Sequence, residues 1–111
     1  MFKAVFVCTL SLAITLAHAA PNVPPAETHP TVPIRDLPAG LKAEYLQQKP
    51  EMNANSRCAA AYDSHSDADK MTLRCSIYIK LGAVGARRAM GYCEEQREKL
   101  HIHAPCRIVT E

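Results

Sequence analysis

Residues 71–80, MTLRCSIYIK, alternate apolar and polar positions without a break. Met71, Leu73, Cys75, Ile77 and Ile79 fall on one side, and Thr72, Arg74, Ser76, Tyr78 and Lys80 on the other. That is the period of a strand with one buried face. A second run, residues 57–63 (RCAAAYD), precedes it, and the stretch SHSDAD between the two is built from turn formers. The pair reads as a β-hairpin. With the turn over residues 64–69, position 62 faces 71, 60 faces 73 and 58 faces 75. Cys58, Ala60 and Tyr62 then share the core face with Cys75, Leu73 and Met71, so pattern and register agree.

Helical spacing appears on either side of the hairpin. Residues 39–48 (AGLKAEYLQQ) are good helix formers, with Leu41 and Tyr45 one turn apart and Leu46 beside them, and Pro50 marks the end. After Gly82 and Gly85 a longer helix is expected from about Val84 to Leu100. Ala86, Ala89, Met90, Cys93 and Leu100 form its buried stripe, while Arg87, Arg88, Glu94, Glu95, Glu98 and Lys99 face water. A last strand, Cys106 to Thr110, follows Pro105, with Cys106 and Ile108 on one face. The expected order is α-β-β-α-β. The fold class is α+β, with a sheet of at most three strands and the 84–100 helix on one face.

The first 38 residues differ in character. Residues 1–19 open with Lys3, continue through an apolar stretch to Ala17 and end Ala-His-Ala. This is the pattern of a secretory signal peptide cut after Ala19. The apolar run is too short for a span of about 20 residues, so no integral membrane segment is expected in the mature chain. Cys8 follows Val7, a poor fit to a lipidation site. Residues 20–38 hold six of the eight prolines and read as an extended spacer, with a proline-rich ligand as the alternative. The folded domain is expected over 39–111.

Removal of the leader leaves Cys58, Cys75, Cys93 and Cys106. An even number in a short exported chain reads as a disulfide framework. A zinc site would favour a close C-x2-C pair, which is absent. The hairpin register brings Cys58 opposite Cys75, within about 4.5 Å between Cα atoms at a non-hydrogen-bonded pair. Cys93 lies on the helix stripe, and Cys106 starts the strand that folds back on it. The expected pairing is Cys58–Cys75 and Cys93–Cys106. The location implied is periplasmic or secreted.

Composition narrows the function. The chain has 111 residues and no tryptophan, and both phenylalanines, Phe2 and Phe6, lie in the leader. Such a domain has little material for a large enzymatic cleft. The net charge is only +2, with no basic run interleaved with aromatics, so nucleic acid has no support as a partner. Ser64, His65 and Asp67 sit together, but within one turn, where Ser and Asp serve backbone hydrogen bonding. No catalytic residues and no cofactor are expected. His101 and His103 would share a side if extended, and with Glu94 or Glu98 could hold copper or zinc. The competing reading is a solvated loop. Tyr78, beside Arg74 and Lys80 on the outer strand face, has the composition of a protein-binding spot unless the 39–48 helix covers it.

The run CAAAYDS, a polar turn, a strand, then ARRAMGYCEEQ and APCRIVTE resembles small exported bacterial domains of unknown function, over residues 57–110. In these an alanine-rich hairpin precedes a helix ending in cysteine and a strand beginning with cysteine. The resemblance implies export and no particular activity. The reading is a small non-enzymatic exported protein that binds another envelope or secreted protein, for instance as an inhibitor or immunity-type partner. The alternative is a periplasmic metal-binding protein using His101 and His103. Each bridge closes a short loop and contributes about 3 kcal/mol in the chain-entropy account. A core this poor in aromatics has net stability of about the same size. Reduction is therefore expected to unfold the protein near room temperature, read by far-UV circular dichroism with and without a phosphine reductant.

Overall fold

A computed structural model describes residues 28–111. The signal-peptide reading of residues 1–19, and the spacer reading as far as residue 27, lie outside the described residues. The elements are β1 (Thr31–Pro33), α1 (Ala39–Gln48), β2 (Cys58–Tyr62), β3 (Met71–Cys75), α2 (Gly82–Leu100) and β4 (Arg107–Thr110), with short 3-10 turns between some of them. The class is α+β, and both disulfides form as expected, Cys58–Cys75 and Cys93–Cys106.

The sheet order is β1-β4-β2-β3. β2 and β3 are antiparallel, and their register pairs Cys58 with Cys75, Ala60 with Leu73 and Tyr62 with Met71. The hairpin turn is held by side chains: Ser64 Oγ accepts the N–H groups of Ser66 and Asp67, and Asp67 accepts that of Asp69. β4 runs antiparallel to β2 and parallel to β1.

Several expectations need correction. The sheet has four strands, because residues 31–38, read from their prolines as the end of a spacer, belong to the fold. Val32 and Leu37 are buried in the core, and Ile108 N–H donates to the Pro30 carbonyl at 2.8 Å. Prolines are tolerated there because β1 is a sheet edge, where one side of the strand needs no donors. The order is therefore β-α-β-β-α-β.

The sheet is also covered on both faces, not one. α1 packs Leu41 and Tyr45 on the face of Cys58, Ala60, Leu73 and Val109. α2 packs Ala89 and Cys93 on the opposite face of Ala59, Ala61 and Ile108, with Ile102 and Cys106. β2 lies inside the sheet, and Ala59, Ala60 and Ala61 are fully buried in succession. A strand covered on both sides is expected to be apolar throughout, and alanine lets both helices approach closely. Thr72, assigned by alternation to the solvent side, is small enough to be buried under α2. Leu46 in turn faces solvent, because the apolar face of α1 is narrower than its composition implies.

The far end of α2 is tied down from several directions. His101 adopts a left-handed conformation, its N–H reaches Glu98 O, and Ile102 N–H reaches Arg97 O. This is the Schellman arrangement, with buried Ile102 as its apolar contact. Lys70 Nζ donates to the Leu100 carbonyl at 3.1 Å. The Asp63 carboxylate accepts two backbone N–H groups, His103 and Ala104, each at 2.7 Å. On the other face Tyr45 donates to Glu111 at 2.9 Å, and Lys49 pairs with the same carboxylate. Burial first, then the hydrogen bond to Glu111, pushes the Tyr45 phenol up to about 12.

The hydrogen bonds from His103 and Ala104 hold the Asp63 carboxyl below its ordinary value of 3.8. A depressed folded value means that the unfolded chain binds the proton more readily. The clamp then contributes fully above 3.8 and is lost as pH falls through the lower folded value. Asp63→Asn is expected to lower the urea midpoint at neutral pH. Its stability is also expected to fall less steeply than wild type between neutral and strongly acidic solution, measured by urea titrations across that range.

Candidate partner-binding surface

The alternation that predicted a strand through Lys80 is broken at Cys75, where β3 ends. Ser76 is the cause. Its N–H still donates to Arg57 O at 2.8 Å, but its hydroxyl turns inward and donates to Gly85 O at 2.9 Å. The chain then leaves the sheet toward α2. Tyr78 takes a left-handed conformation, φ 55°. For a residue with a Cβ this conformation costs roughly 1–2 kcal/mol, so its surroundings must enforce it.

They do so from both sides. Ile79 is buried beneath the loop. Asn53 Nδ2 donates to Ile79 O and Asn55 Nδ2 to Lys80 O, each at 3.0 Å. Those two amides are themselves fixed, since Asn53 Oδ1 accepts Asn55 N–H at 2.8 Å and Ser56 Oγ accepts Asn53 N–H at 3.1 Å. The adjoining Cys75 is cross-linked to Cys58. α2 begins at Gly82, and the Gly85 backbone lies so near Asn55 that a Cβ there would collide with the Asn55 carbonyl oxygen.

The result is a loop held at several points, with Ile79 turned inward and Tyr78 and Leu81 turned outward. Tyr78 is 78% exposed and Leu81 67% exposed. With Ile79, Lys80, Val84 and Arg88 they line a shallow concavity of about 280 Å³. α1 does not cover Tyr78. The charged residues that line it, Lys80 and Arg88, are both basic, and along the chain every charged residue from Lys70 to Cys93 is basic, namely Lys70, Arg74, Lys80, Arg87 and Arg88. Two of these, Arg87 and Arg88, lie in the first half of α2, and its first turn holds no acidic residue. A helix N-terminus favours acidic side chains, so this placement does not serve the helix.

Sequence reasoning grouped Arg74 with Tyr78 and Lys80, and the structure separates them. Arg74 projects from β3 and hydrogen-bonds Gln96 Oε1 at 2.9 Å. Tyr78 and Lys80 stand together at the loop. Leu81, Val84 and Arg88 were missed, although the absence of acidic residues between Asp69 and Glu94 was a readable signal.

His101 and His103 do not alternate along an extended segment, because His101 is left-handed at the end of α2. Glu94, a suggested third ligand, pairs with Arg97 at 3.4 Å. Among the described residues no three of His, Cys, Asp and Glu are grouped so as to hold a metal ion. Cys58, Cys75, Cys93 and Cys106 are all in disulfides. Two such bridges fit an oxidising, extracytoplasmic compartment. No helix among the described residues is long and apolar enough to cross a membrane.

Comparison with family models, curated proteins and solved structures finds no match to this chain.

Gly85 is the most sensitive point of the loop anchor. Gly85→Ala is expected to cost about 1–3 kcal/mol by overpacking. It should appear as a lower urea midpoint and as faster amide exchange at residues 79–81.

Proposed function

We propose that this chain is a small exported protein that acts by binding another envelope or secreted protein. Residues 1–19 serve as the export signal in this reading. The partner is contacted through Tyr78, Leu81, Lys80 and Arg88. The observation that carries the reading is the exposure of a tyrosine and a leucine side by side on a loop anchored from every side. An exposed aromatic held in a strained backbone conformation loses little freedom on binding, which favours affinity. Tyrosine and arginine are the residues most often found at the energetic centre of interfaces. The basic surroundings select a partner whose contact surface is acidic, with an apolar recess for Tyr78.

Inhibition of the partner, or protection against it, is the mode such a domain best serves. A rigid cross-linked body with a protruding anchor can occlude a site without chemistry of its own.

A photo-crosslinking amino acid at position 78 tests the surface in cells of the native organism. A specific adduct is expected from position 78 and none from position 47, on the exposed side of α1. The adduct should weaken as salt is raised, because exposed charges are screened within about 8–10 Å at ordinary ionic strength. With the purified partner, Tyr78→Ala is expected to reduce affinity about 30-fold or more. Arg88→Glu should slow association, measured by surface plasmon resonance.

A further inference from the structure

The two edges of the sheet are treated differently. β1 is short, Thr31–Pro33, and Pro33 lies within it. Such an edge discourages further pairing. β3, at the other edge, is five residues long and contains no proline. Asp63 N–H donates to Lys70 O, and Ser76 N–H to Arg57 O. Hydrogen-bonded pairs alternate along an antiparallel ladder, so Thr72 and Arg74 direct their backbone groups to β2. Met71, Leu73 and Cys75 direct theirs outward, and no strand among the described residues pairs with that side.

This open edge is the floor of a trough. One part, of about 350 Å³, is lined by Gln48 of α1, by Arg74 and Cys75, and by Tyr92, Gln96 and Lys99 of α2, among others. A second part, of about 380 Å³, continues along Met71, Thr72 and Leu73, with Glu44 and Gln48 on one wall and Gln96 and Leu100 on the other. The parts share Gln48, Arg74 and Gln96. The trough therefore follows β3 along its length with one helix on each side.

We infer that the open edge of β3, sunk between α1 and α2, takes an extended polypeptide segment of a partner protein as an added strand. The backbone groups of Met71, Leu73 and Cys75 supply the ladder, as in strand addition to other sheet edges. Gln48 and Gln96 offer amides on opposite walls, and Tyr92 offers an aromatic face. The walls carry both signs, Glu44 and Glu95 against Arg74 and Lys99, so they fit a polar segment of mixed charge.

The walls also set the width of the occupant. A second copy pairing edge to edge would bring its own α1 and α2 against these helices, whereas a single strand enters between them. In residues 20–27, APNVPPAE, Pro24 and Pro25 are adjacent, so a strand in either phase would turn a residue without an N–H toward β3. The trough is separate from the Tyr78 loop, so either surface can fail its test without the other.

The oxidised protein, produced by export, is panned against a phage-displayed library of random twelve-residue peptides. Enriched peptides are synthesised and titrated by NMR. Shifts are expected at the amides of Met71, Leu73 and Cys75 and along the walls. N-methylation of alternate peptide residues should weaken binding tenfold or more in one phase of the alternation only. The double variant Gln48→Trp, Gln96→Trp, whose thermal unfolding is measured alongside, should lose binding while staying folded. If that pair proves unstable, Gln96→Trp alone serves. No enrichment, peptides mapping to residues 78–88, or insensitivity to N-methylation would overturn the inference. So would a concentration-dependent dimer that protects the β3 amides, which would assign the edge to a second copy.

Discussion

The register between β2 and β3 is the constraint on which the rest of the structure depends. A slip by one residue would exchange the faces of every side chain on the hairpin. Cys58 would lose Cys75, Leu73 would turn from α1 toward α2, and Thr72 would enter the α1 core. The Cys58–Cys75 bridge and the turn at Ser64 and Asp67 fix that register from opposite ends. With the register set, alanines lie under α2 on one face and leucine and tyrosine meet on the other. The loop after Cys75 then leaves the sheet at a defined place.

That departure links the fold to the surface. Ser76 is buried because its hydroxyl joins the Arg57 and Gly85 backbones, one in the hairpin and one in α2. Between these points the chain is too tightly held to relax, and Tyr78 is left in its left-handed conformation. The asparagines at 53 and 55 complete the support from below. Stability and presentation of the tyrosine thus come from the same hydrogen bonds.

Much of the fold was legible in the amino-acid order. The two-residue period of 71–75 and the helical stripe of Ala86, Ala89, Met90 and Cys93 each have one reading, and the cysteine pairing follows from them. The first strand was not legible, since prolines at 30 and 33 mark equally an edge strand and a spacer. The second buried face was hidden because alanine fits solvent and core alike, and because Thr72 is polar but small. The end of β3 was masked by Ile77 and Ile79, which continue the alternation after the strand has stopped. Of the candidate surface, Tyr78 and Lys80 were visible as composition. Their union with Leu81 and Arg88 depends on a loop geometry set by residues more than twenty positions earlier in the chain.

The order of the cysteines along the chain has a consequence for biogenesis. Among the described residues each bridge joins cysteines that are neighbours in sequence, Cys58 with Cys75 and Cys93 with Cys106. A chain emerging from its N-terminus into an oxidising space presents Cys58 and Cys75 before Cys93 and Cys106. Among these four, pairing in order of appearance gives the observed connectivity. Completion of the sheet has to wait longer, because β1 pairs only with β4. The hairpin can thus be locked while the strand that closes the fold is still being delivered.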